Sequence, residues 1–197
     1  MDAANHLIQY ILWHPAVSVT YRPSDMQLHI HSDASHDSEP KSRSRCGGVF
    51  FLGADDFHGP DNRPHPVVNG AIALQCKIIP TVCASAAESE YAALFMNAQL
   101  AEGIRQTLED LGHPQLQPTA IIYDNEVSGK IAERTCKMKR AKAIAKHYHW
   151  IQDRIAMGHF QLLWRPGDHN LADFLTKAHP IHHFTAISPY FIDSQAP

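Results

Sequence analysis

"LHIHSDASHD", residues 28–37, holds the strand pattern on which the fold prediction depends. Apolar and polar side chains alternate from Leu28 to Ser32, and the alternation stops at Asp33. A period of two is typical of a strand with one buried face. Because a carboxylate is costly to bury without a partner, Asp33 is either the first residue of a turn or a side chain held at the strand end for chemistry.

Beyond this strand the sequence predicts the order β-β-β-α-β-α-α-β-α. The strand at about 26–33 is followed by strands at 46–53 and 67–79, the latter bulged at Gly70, as in an antiparallel meander. Helical periodicity then runs from Ala86 to Leu111. The later elements are a strand at 119–124, helices at about 125–134 and 138–157, a strand at 159–166 and a helix at 170–178. We therefore expect an α/β fold in which helices flank a mixed five-stranded sheet, three antiparallel strands and then parallel ones.

Local composition predicts the remaining segments. They are a helix at 2–13, a short strand at 17–21, a polar loop at 35–45 and a long exposed connection at 54–66. No internal repeat divides the chain. We expect an extension at 1–25, one domain at 26–180 and an irregular tail at 181–197.

Composition and charge narrow the class of protein. The 197 residues suffice for one domain with a full core. No apolar run reaches the ~18 residues of a membrane span and no signal-peptide pattern is present, so an intracellular protein is expected. The net charge of -3 argues against nucleic-acid binding, but seven of the 17 Lys and Arg residues lie between residues 130 and 146, with Glu133 the only acid. Such a local basic field favours a polyanionic partner.

The 15 histidines and four cysteines do not predict a nitrogen or sulfur metal site. No cysteines have C-x-x-C spacing, which favours buried reduced thiols. No H-x-x-x-H pair on a predicted helix has a third ligand nearby, so most histidines are expected on the surface or in the core. His29, His31, His36 and Asp37 are expected to be surface or loop residues.

Acidic residues end two of the predicted strands. Asp33 ends the first strand and Asp124 the fourth, so neighbouring strands would bring both carboxylates to one edge of the sheet. An acid near the start of the long helix and Asp173 at the start of the last helix could complete a cluster. Carboxylates this close raise one another's pKa, and a divalent cation relieves the repulsion. An all-oxygen site suits Mg²⁺ or Mn²⁺.

The third acid is either Glu88 or Glu90, in "SAAESEYAAL". The two lie about 200° apart on a helix and cannot face one point. With Ser85 as N-cap, Glu88 occupies the third helical position of a capping box. Glu90 is in register with Leu94 and is therefore assigned the functional role, with Glu88 as the alternative.

Six motifs, in order along residues 26–177, carry a family resemblance. They are "SDAS" at 32–35, "GGVFFLG" at 47–53, "PTVCASAAESEYAAL" at 80–94, "YDNEVSGKIA" at 123–132, "HYHWIQDRI" at 147–155 and "NLADFLTK" at 170–177. The sequence resembles the ribonuclease H domain of copia-type LTR retrotransposon polyproteins. Its first 25 residues resemble the end of the reverse-transcriptase region, so the chain looks like a piece of a larger polyprotein.

The resemblance implies hydrolysis of the RNA strand of RNA–DNA hybrids by a two-metal-ion mechanism during reverse transcription. It implies a catalytic and metal-binding set of Asp33, Glu90, Asp124 and Asp173 around two Mg²⁺ ions, with Mn²⁺ as substitute. Hybrid contacts are expected from Ser35, Asn125, Lys137, Lys139, Arg140, Lys142 and Lys146, and auxiliary roles from His169 and Lys177. The expected partners are the hybrid and the reverse-transcriptase domain of the same polyprotein, in a cytoplasmic virus-like particle.

Two other classes compete with this interpretation. One is a catalytically inactive domain of the same fold that binds hybrid or positions a partner protein. The other is a transposase or integrase relative, which also gathers carboxylates on this fold. The chain also departs from the family, since residues 54–66 are longer than in relatives, Ala34 replaces a common glycine, and the histidine-bearing loop is shortened to "RPGDH".

Overall fold

The structure is a computed structural model that describes residues 2–54, 69–126, 142–167 and 170–194. Its helices are α1 (Asp2–Trp13), α2 (Ala86–Asp110), α3 (Lys142–Ala156), α4 (Asp173–Thr176) and α5 (Ile181–Ile187), and a 3-10 turn follows at Ser188–Tyr190. Its strands are β1 (Val17–Ser18), β2 (Gln27–Glu39), β3 (Arg43–Gly53), β4 (Ala71–Ile78), β5 (Thr119–Tyr123), β6 (Phe160–Trp164) and β7 (Asp193–Ser194). Within these residues no helix is long and apolar enough to cross a membrane.

Five strands form a mixed sheet in the order β4–β3–β2–β5–β6. β2, β3 and β4 pair antiparallel, whereas β5 lies parallel to β2 and β6 parallel to β5. The fold class predicted from the sequence is therefore confirmed. β2, which contains residues 28–37, is the central strand and pairs with β3 on one side and β5 on the other.

Both faces of β2 are buried, which the alternation alone did not predict. On one face Leu28 and Ile30 join the core against α2, and on the other His29 and His31 contact the Phe51 ring, each with 5.7 Å between ring centroids. His29 and His31 are each 4 % exposed, so the expectation of surface histidines is wrong there. His36 and Asp37 are exposed as expected. The second face is covered by residues 171–175, far along the chain.

The polar residues 35–45 are not a loop. β2 continues to Glu39 and β3 begins at Arg43, so the two strands form a long hairpin closed by a tight turn. Lys41 and Ser42 supply that turn with φ angles of 63° and 52°. The Arg45 guanidinium pairs with the Glu39 carboxylate at 2.6 Å. Such cross-strand pairs stabilise a sheet in which individual residues have low strand propensity.

Two smaller expectations about β4 and α2 are also wrong. The sheet register shifts between Phe50, which pairs with Ala73, and Phe51, which pairs with Ala71, so the bulge lies at Ile72 and not at Gly70. Leu111, the last residue of the predicted helical periodicity, is 68 % exposed. The helix ends one residue earlier, and the chain turns away.

The tail after Pro180 is ordered, contrary to expectation. It forms α5, and β7 pairs antiparallel with β1, so Val17 faces Ser194 and Ser18 faces Asp193. The short strand expected at 17–21 is thus two residues long. Five predicted segments fall partly outside the described residues: the loop at 54–66, the strand at 67–79, the helices at 125–134 and 138–157, and the tail at 181–197.

Gly48 is expected to be essential for the packing of α2 on the sheet. Its Cα lies against the buried Asn97 amide, which donates to the Ser32 hydroxyl at 2.9 Å and accepts from Gln75 at 3.0 Å. Gly48→Ala would push a methyl group into that amide and lower the free energy of unfolding by about 1–3 kcal/mol. Gly103→Ala, on the exposed side of α2 with nothing within 4 Å, is the control and should raise it by about 0.5–1 kcal/mol. Urea denaturation measures both, and equal effects would contradict the packing argument.

Candidate active site

Two acidic side chains lie side by side just beyond the parallel pairing of β2 and β5, which Asp33 follows inside β2 and Asp124 follows at the end of β5. In the register of β2 and β5, His31 pairs with Ile122. Asp33 and Asp124 each follow two residues later, so both reach the same edge of the sheet. Asp33 is 0 % exposed and Asp124 is half-buried. The Trp164 indole donates to the backbone oxygen of Asp124 at 2.9 Å, which holds the end of β5 in place.

The start of α2 supplies the third acid. Ser85 is the N-cap, and its hydroxyl accepts from the Glu88 N–H at 3.3 Å, while the Glu88 carboxylate accepts from the Ala84 N–H at 2.6 Å. Glu88 is therefore engaged in capping, as the sequence predicted. Glu90 is on the buried side of the helix and 8 % exposed. The structure places Glu90, and not Glu88, beside the two aspartates.

Asp33, Glu90 and Asp124 form one oxygen cluster. One carboxylate oxygen of each lies within 4.8 Å of the other two. Burial, followed by repulsion from the neighbouring carboxylates, raises the pKa of Glu90 to about 9. Burial is also the main cause that raises the pKa of Asp33 to about 6, and the pKa of Asp124 is raised for the same reason. The three groups resist holding three negative charges without a cation.

The two carboxylate oxygens of Asp33 differ in their hydrogen bonding. Its Oδ2 accepts a hydrogen bond from the Thr176 hydroxyl, whereas its buried Oδ1 has no hydrogen-bond partner within the described part of the chain. Thr176 is held there because α4 packs closely on β3: a Cβ added at Gly47 would be 2.6 Å from the Thr176 methyl group. An orphaned carboxylate oxygen among three clustered acids fits a hard divalent cation with oxygen ligands.

Asp173 lies next to this cluster but belongs to a different group of potential ligands. Its Oδ1 accepts from the Lys177 ammonium, four residues later on the chain, a spacing at which side chains of one helix meet. The same ammonium is 3.8 Å from Asp33 Oδ2 and therefore links the two aspartates. The Lys177 charge lowers the pKa of Asp33, Glu90 and Asp124 and offsets part of the effect of burial.

The geometry can be compared with known proteins. LC11-RNase H1, isolated from compost, superimposes with a TM-score of 0.52 over 76 % of this chain and 92 % of that chain, at 14 % identity. The chain has a ribonuclease H fold. LC11-RNase H1 in complex with an RNA/DNA hybrid matches with the same TM-score and identity, over 76 % of this chain and 93 % of that one.

The sequence of this ribonuclease H-like domain is similar to a retrotransposon protein. It is 24 % identical over 184 residues to the retrovirus-related Pol polyprotein from transposon TNT 1-94 of Nicotiana tabacum. The match covers 93 % of this chain but 13 % of the polyprotein, so the chain spans only a small part of that relative's length. No family model matches the chain. The resemblance to a ribonuclease H domain of a retrotransposon polyprotein is thereby confirmed.

The other site residues predicted from the sequence lie in different parts of the ribonuclease H-like domain or outside the described residues. Ser35 is buried, and its hydroxyl is 2.6 Å from that of Ser38, so its side chain does not join the acids. Asn125 directly follows Asp124 and is partly exposed. Lys142 and Lys146 are on α3, although their side chains are not among those described. Lys137, Lys139, Arg140 and His169 lie outside the described residues.

Two residues near the acids were missed by the sequence analysis. Thr176 is three residues after Asp173, so one turn of helix would have placed both on the same side. His179 is 3.2 Å from Asp173 Oδ2 through its Nε2. The H-x-x-x-H spacing of His179 and His183 carries a signal, but it lies after the last predicted helix and runs into the segment predicted as an irregular tail.

Proposed function

We propose that this ribonuclease H-like domain hydrolyses the RNA strand of RNA–DNA hybrids during reverse transcription of a retrotransposon. The observation that carries the proposal is the buried cluster of Asp33, Glu90 and Asp124 just beyond the parallel pairing of β2 and β5, with raised pKa values and an orphaned Asp33 oxygen. The fold shared with LC11-RNase H1, which has been solved with an RNA/DNA hybrid, supports it. So does the similarity to a Pol polyprotein.

The proposed cofactor is Mg²⁺, with Mn²⁺ as a substitute, bound by the three clustered carboxylates. Asp173 is proposed to contribute to a second ion of the pair. When bound, such cations lower the pKa of a coordinated water and stabilise the charge that develops on the phosphate oxygens. Thr176 fixes the Asp33 carboxylate through Oδ2 and leaves Oδ1 available as a ligand. The Lys177 ammonium, 3.8 Å from Asp33 Oδ2 and in contact with Asp173, lowers the pKa of Asp33 and opposes the effect of burial on that carboxyl.

The hybrid is proposed to bind across the acidic edge and along α3. Lys142 and Lys146 are on that helix, and the basic segment before it carries Lys137, Lys139 and Arg140, so phosphates of one strand would follow this side. Asn125 is partly exposed beside Asp124 and is proposed, with main-chain groups near Ser35, to contact sugars close to the cleaved bond. Selectivity for RNA requires contacts with 2′-hydroxyl groups.

The proposal extends to the context of the domain. Residues 1–25 are proposed as the end of a reverse-transcriptase region, residues 26–180 as the nuclease domain and residues 181–197 as its tail. The reverse-transcriptase domain of the same polyprotein would then be the protein partner, within a cytoplasmic virus-like particle. The relative's being a Pol polyprotein supports this arrangement.

A cleavage assay tests the function. The chain is incubated with end-labelled RNA–DNA hybrid, RNA duplex or DNA duplex, each in EDTA, Mg²⁺ or Mn²⁺. We expect cleavage of the RNA strand of the hybrid only, and only with metal. Hybrid binding without cleavage under any metal would favour an inactive binding domain, and cutting of the DNA duplex would favour a transposase-like enzyme.

The stability of the metal-free protein is expected to fall as pH rises from about 7 to 9. In this range the folded chain keeps a proton on Glu90, whose pKa is raised to about 9, while the unfolded chain has lost it near the ordinary carboxyl value. The folded state therefore binds more protons, and ionising Glu90 destabilises it. Each kcal/mol lost should lower the melting temperature by roughly 2–4 °C.

Scanning calorimetry in EDTA and in Mg²⁺ checks this pH dependence. Mg²⁺ binds the ionised carboxylates, so its stabilising effect should be largest at the high end of the range. The Glu90→Gln variant should show a flatter profile in EDTA. A melting temperature that stays constant in EDTA, or a metal effect that is largest at the low end, would contradict the pKa assignment.

A further inference from the structure

We propose that Asp173, His179 and His183 form a second metal site, distinct from the three-carboxylate cluster, that takes a transition metal such as Zn²⁺. One oxygen of Asp173 and one ring nitrogen of each histidine all lie within 4.8 Å of one another. No part of the inference rests on the proposed nuclease function. It rests on how the tail of the chain folds back on α4.

The two histidines are brought together by the start of α5. Pro180 is the N-cap of that helix, and the backbone N–H of His183 donates to the Pro180 oxygen at 3.0 Å, so the chain makes a full turn between His179 and His183. The two imidazole rings lie face to face, with 4.3 Å between their centroids and 29° between their planes. Residues four apart on such a turn project to the same side.

An aromatic cluster fixes this turn against α4. The Phe174 ring lies 5.4 Å from that of Phe184 and 5.3 Å from that of Phe191, centroid to centroid. The His179 ring is parallel to Phe174, with an angle of 3° between the planes and 6.1 Å between the centroids. These ring contacts fix the position of the tail on α4 and place both imidazoles beside Asp173 before any ligand binds.

The donor geometry suits one ion. His179 Nε2 lies 3.2 Å from Asp173 Oδ2, and ligands bound at about 2.0–2.2 Å from a tetrahedral zinc are separated by roughly this distance. The same Nε2 is 3.0 Å from the Asp173 backbone oxygen, so a bound ion would replace that hydrogen bond. The two side chains keep 13 % and 16 % of their surface exposed, so an ion can enter. Asp173 uses its other oxygen for Lys177, so Zn²⁺ at this site and the second Mg²⁺ of the nuclease proposal would compete for Asp173 Oδ2.

The donor types separate this group from the acidic cluster. Two imidazole nitrogens and one carboxylate oxygen suit Zn²⁺ and neighbouring transition metals, whereas Mg²⁺ prefers oxygen ligands. A ring nitrogen of each histidine is the donor atom that such an ion would take. A bound ion would join α4 to the tail and hold Asp173 at the side of the acidic cluster.

Calorimetric titration of Zn²⁺ into the full chain, with Mg²⁺ already present in excess, tests the site. We expect a Zn²⁺ binding step that Mg²⁺ does not displace. His179→Ala and His183→Ala should each weaken the Zn²⁺ affinity of this step by at least about tenfold, because losing even a residue that only supports a metal ligand lowers metal affinity 10–100-fold. His182→Ala is the matched control, because His182 is exposed and adjacent on α5 but outside the group, and it should change the affinity less than twofold.

Two further variants separate loss of this metal site from failure of the nuclease proposal and from loss of folding. Asp33→Asn should bind Zn²⁺ at this step as the wild-type chain does, so a failure of the nuclease proposal leaves this site standing. If His183→Ala lowers the melting temperature in EDTA, His183→Gln replaces it with a polar side chain of similar length. A Zn²⁺ step that is equal in the wild type and in the His179 and His183 variants, or that Mg²⁺ removes, overturns the proposal.

Discussion

The Asp33→Asn variant is expected to cleave the RNA strand of a hybrid about 10³-fold more slowly than the wild type, or not at all. Asp33 is fully buried between Glu90 and Asp124, and its Oδ1 has no hydrogen-bond partner among the residues that the structure describes. An amide at this position removes one negative charge from the proposed metal site. Metal ions supply several kcal/mol of transition-state stabilisation, and each 1.4 kcal/mol corresponds to a factor of ten in rate.

Single-turnover cleavage with saturating protein measures this loss at the chemical step. Asp37→Asn is the matched control: Asp37 is an exposed acid on the same strand, outside the cluster, and its variant should retain the wild-type rate. Asp33→Asn should also keep its affinity for hybrid, because the phosphate contacts are proposed elsewhere. A cleavage rate within tenfold of the wild type would refute the role of Asp33.

The asparagine substitution should not unfold the protein. Burial raises the pKa of Asp33 to about 6, so its charge is unfavourable in the metal-free fold. The neutral amide removes that unfavourable charge, and its oxygen can still accept from Thr176. Its melting temperature in EDTA at neutral pH should therefore equal or exceed that of the wild type, which separates a loss of chemistry from a loss of structure.

The position of the acidic cluster could be predicted because short-range patterns determine it. Period-two alternation leads to Asp33, although β2 continues to Glu39 and does not end there as predicted, and the apolar run before Asp124 ends β5. The capping box takes Glu88 and leaves Glu90 for the buried side of α2. Each inference needs about ten residues of sequence.

The features that were missed depend on contacts between distant residues. His31 is buried because its Nδ1 accepts from the Leu171 N–H at 3.0 Å, and these residues are 140 positions apart. β1 and β7 each have two residues, too few for any periodicity, and they pair from opposite ends of the chain. The polar residues 35–45 of the hairpin likewise show no alternation of apolar and polar side chains that would predict a strand. Pattern reasoning cannot find such pairings because neither partner carries a local signal.

The second large effect is expected for Glu90→Gln, which should slow cleavage of the hybrid by about 10²–10³-fold. Glu90 is 8 % exposed, and one of its oxygens lies within 4.8 Å of those of Asp33 and Asp124. Glutamine keeps the size of the side chain but provides one neutral oxygen in place of a carboxylate. Losing about 3–4 kcal/mol of transition-state stabilisation corresponds to this change in rate.

The Glu88→Gln variant tests whether slow cleavage by Glu90→Gln results from the lost carboxylate charge or from a disturbed start of α2. Glutamine at the third helical position also completes a capping box, so this variant should keep the wild-type rate and melting temperature. Glu90→Gln should instead be slow in cleavage yet more stable than the wild type in EDTA at about pH 9, because it removes a buried group whose ionisation is unfavourable there. Opposite changes in activity and stability at one residue are what a buried metal ligand predicts and a structural glutamate does not. If Glu88→Gln were the inactive variant, the assignment of the third acid would be wrong.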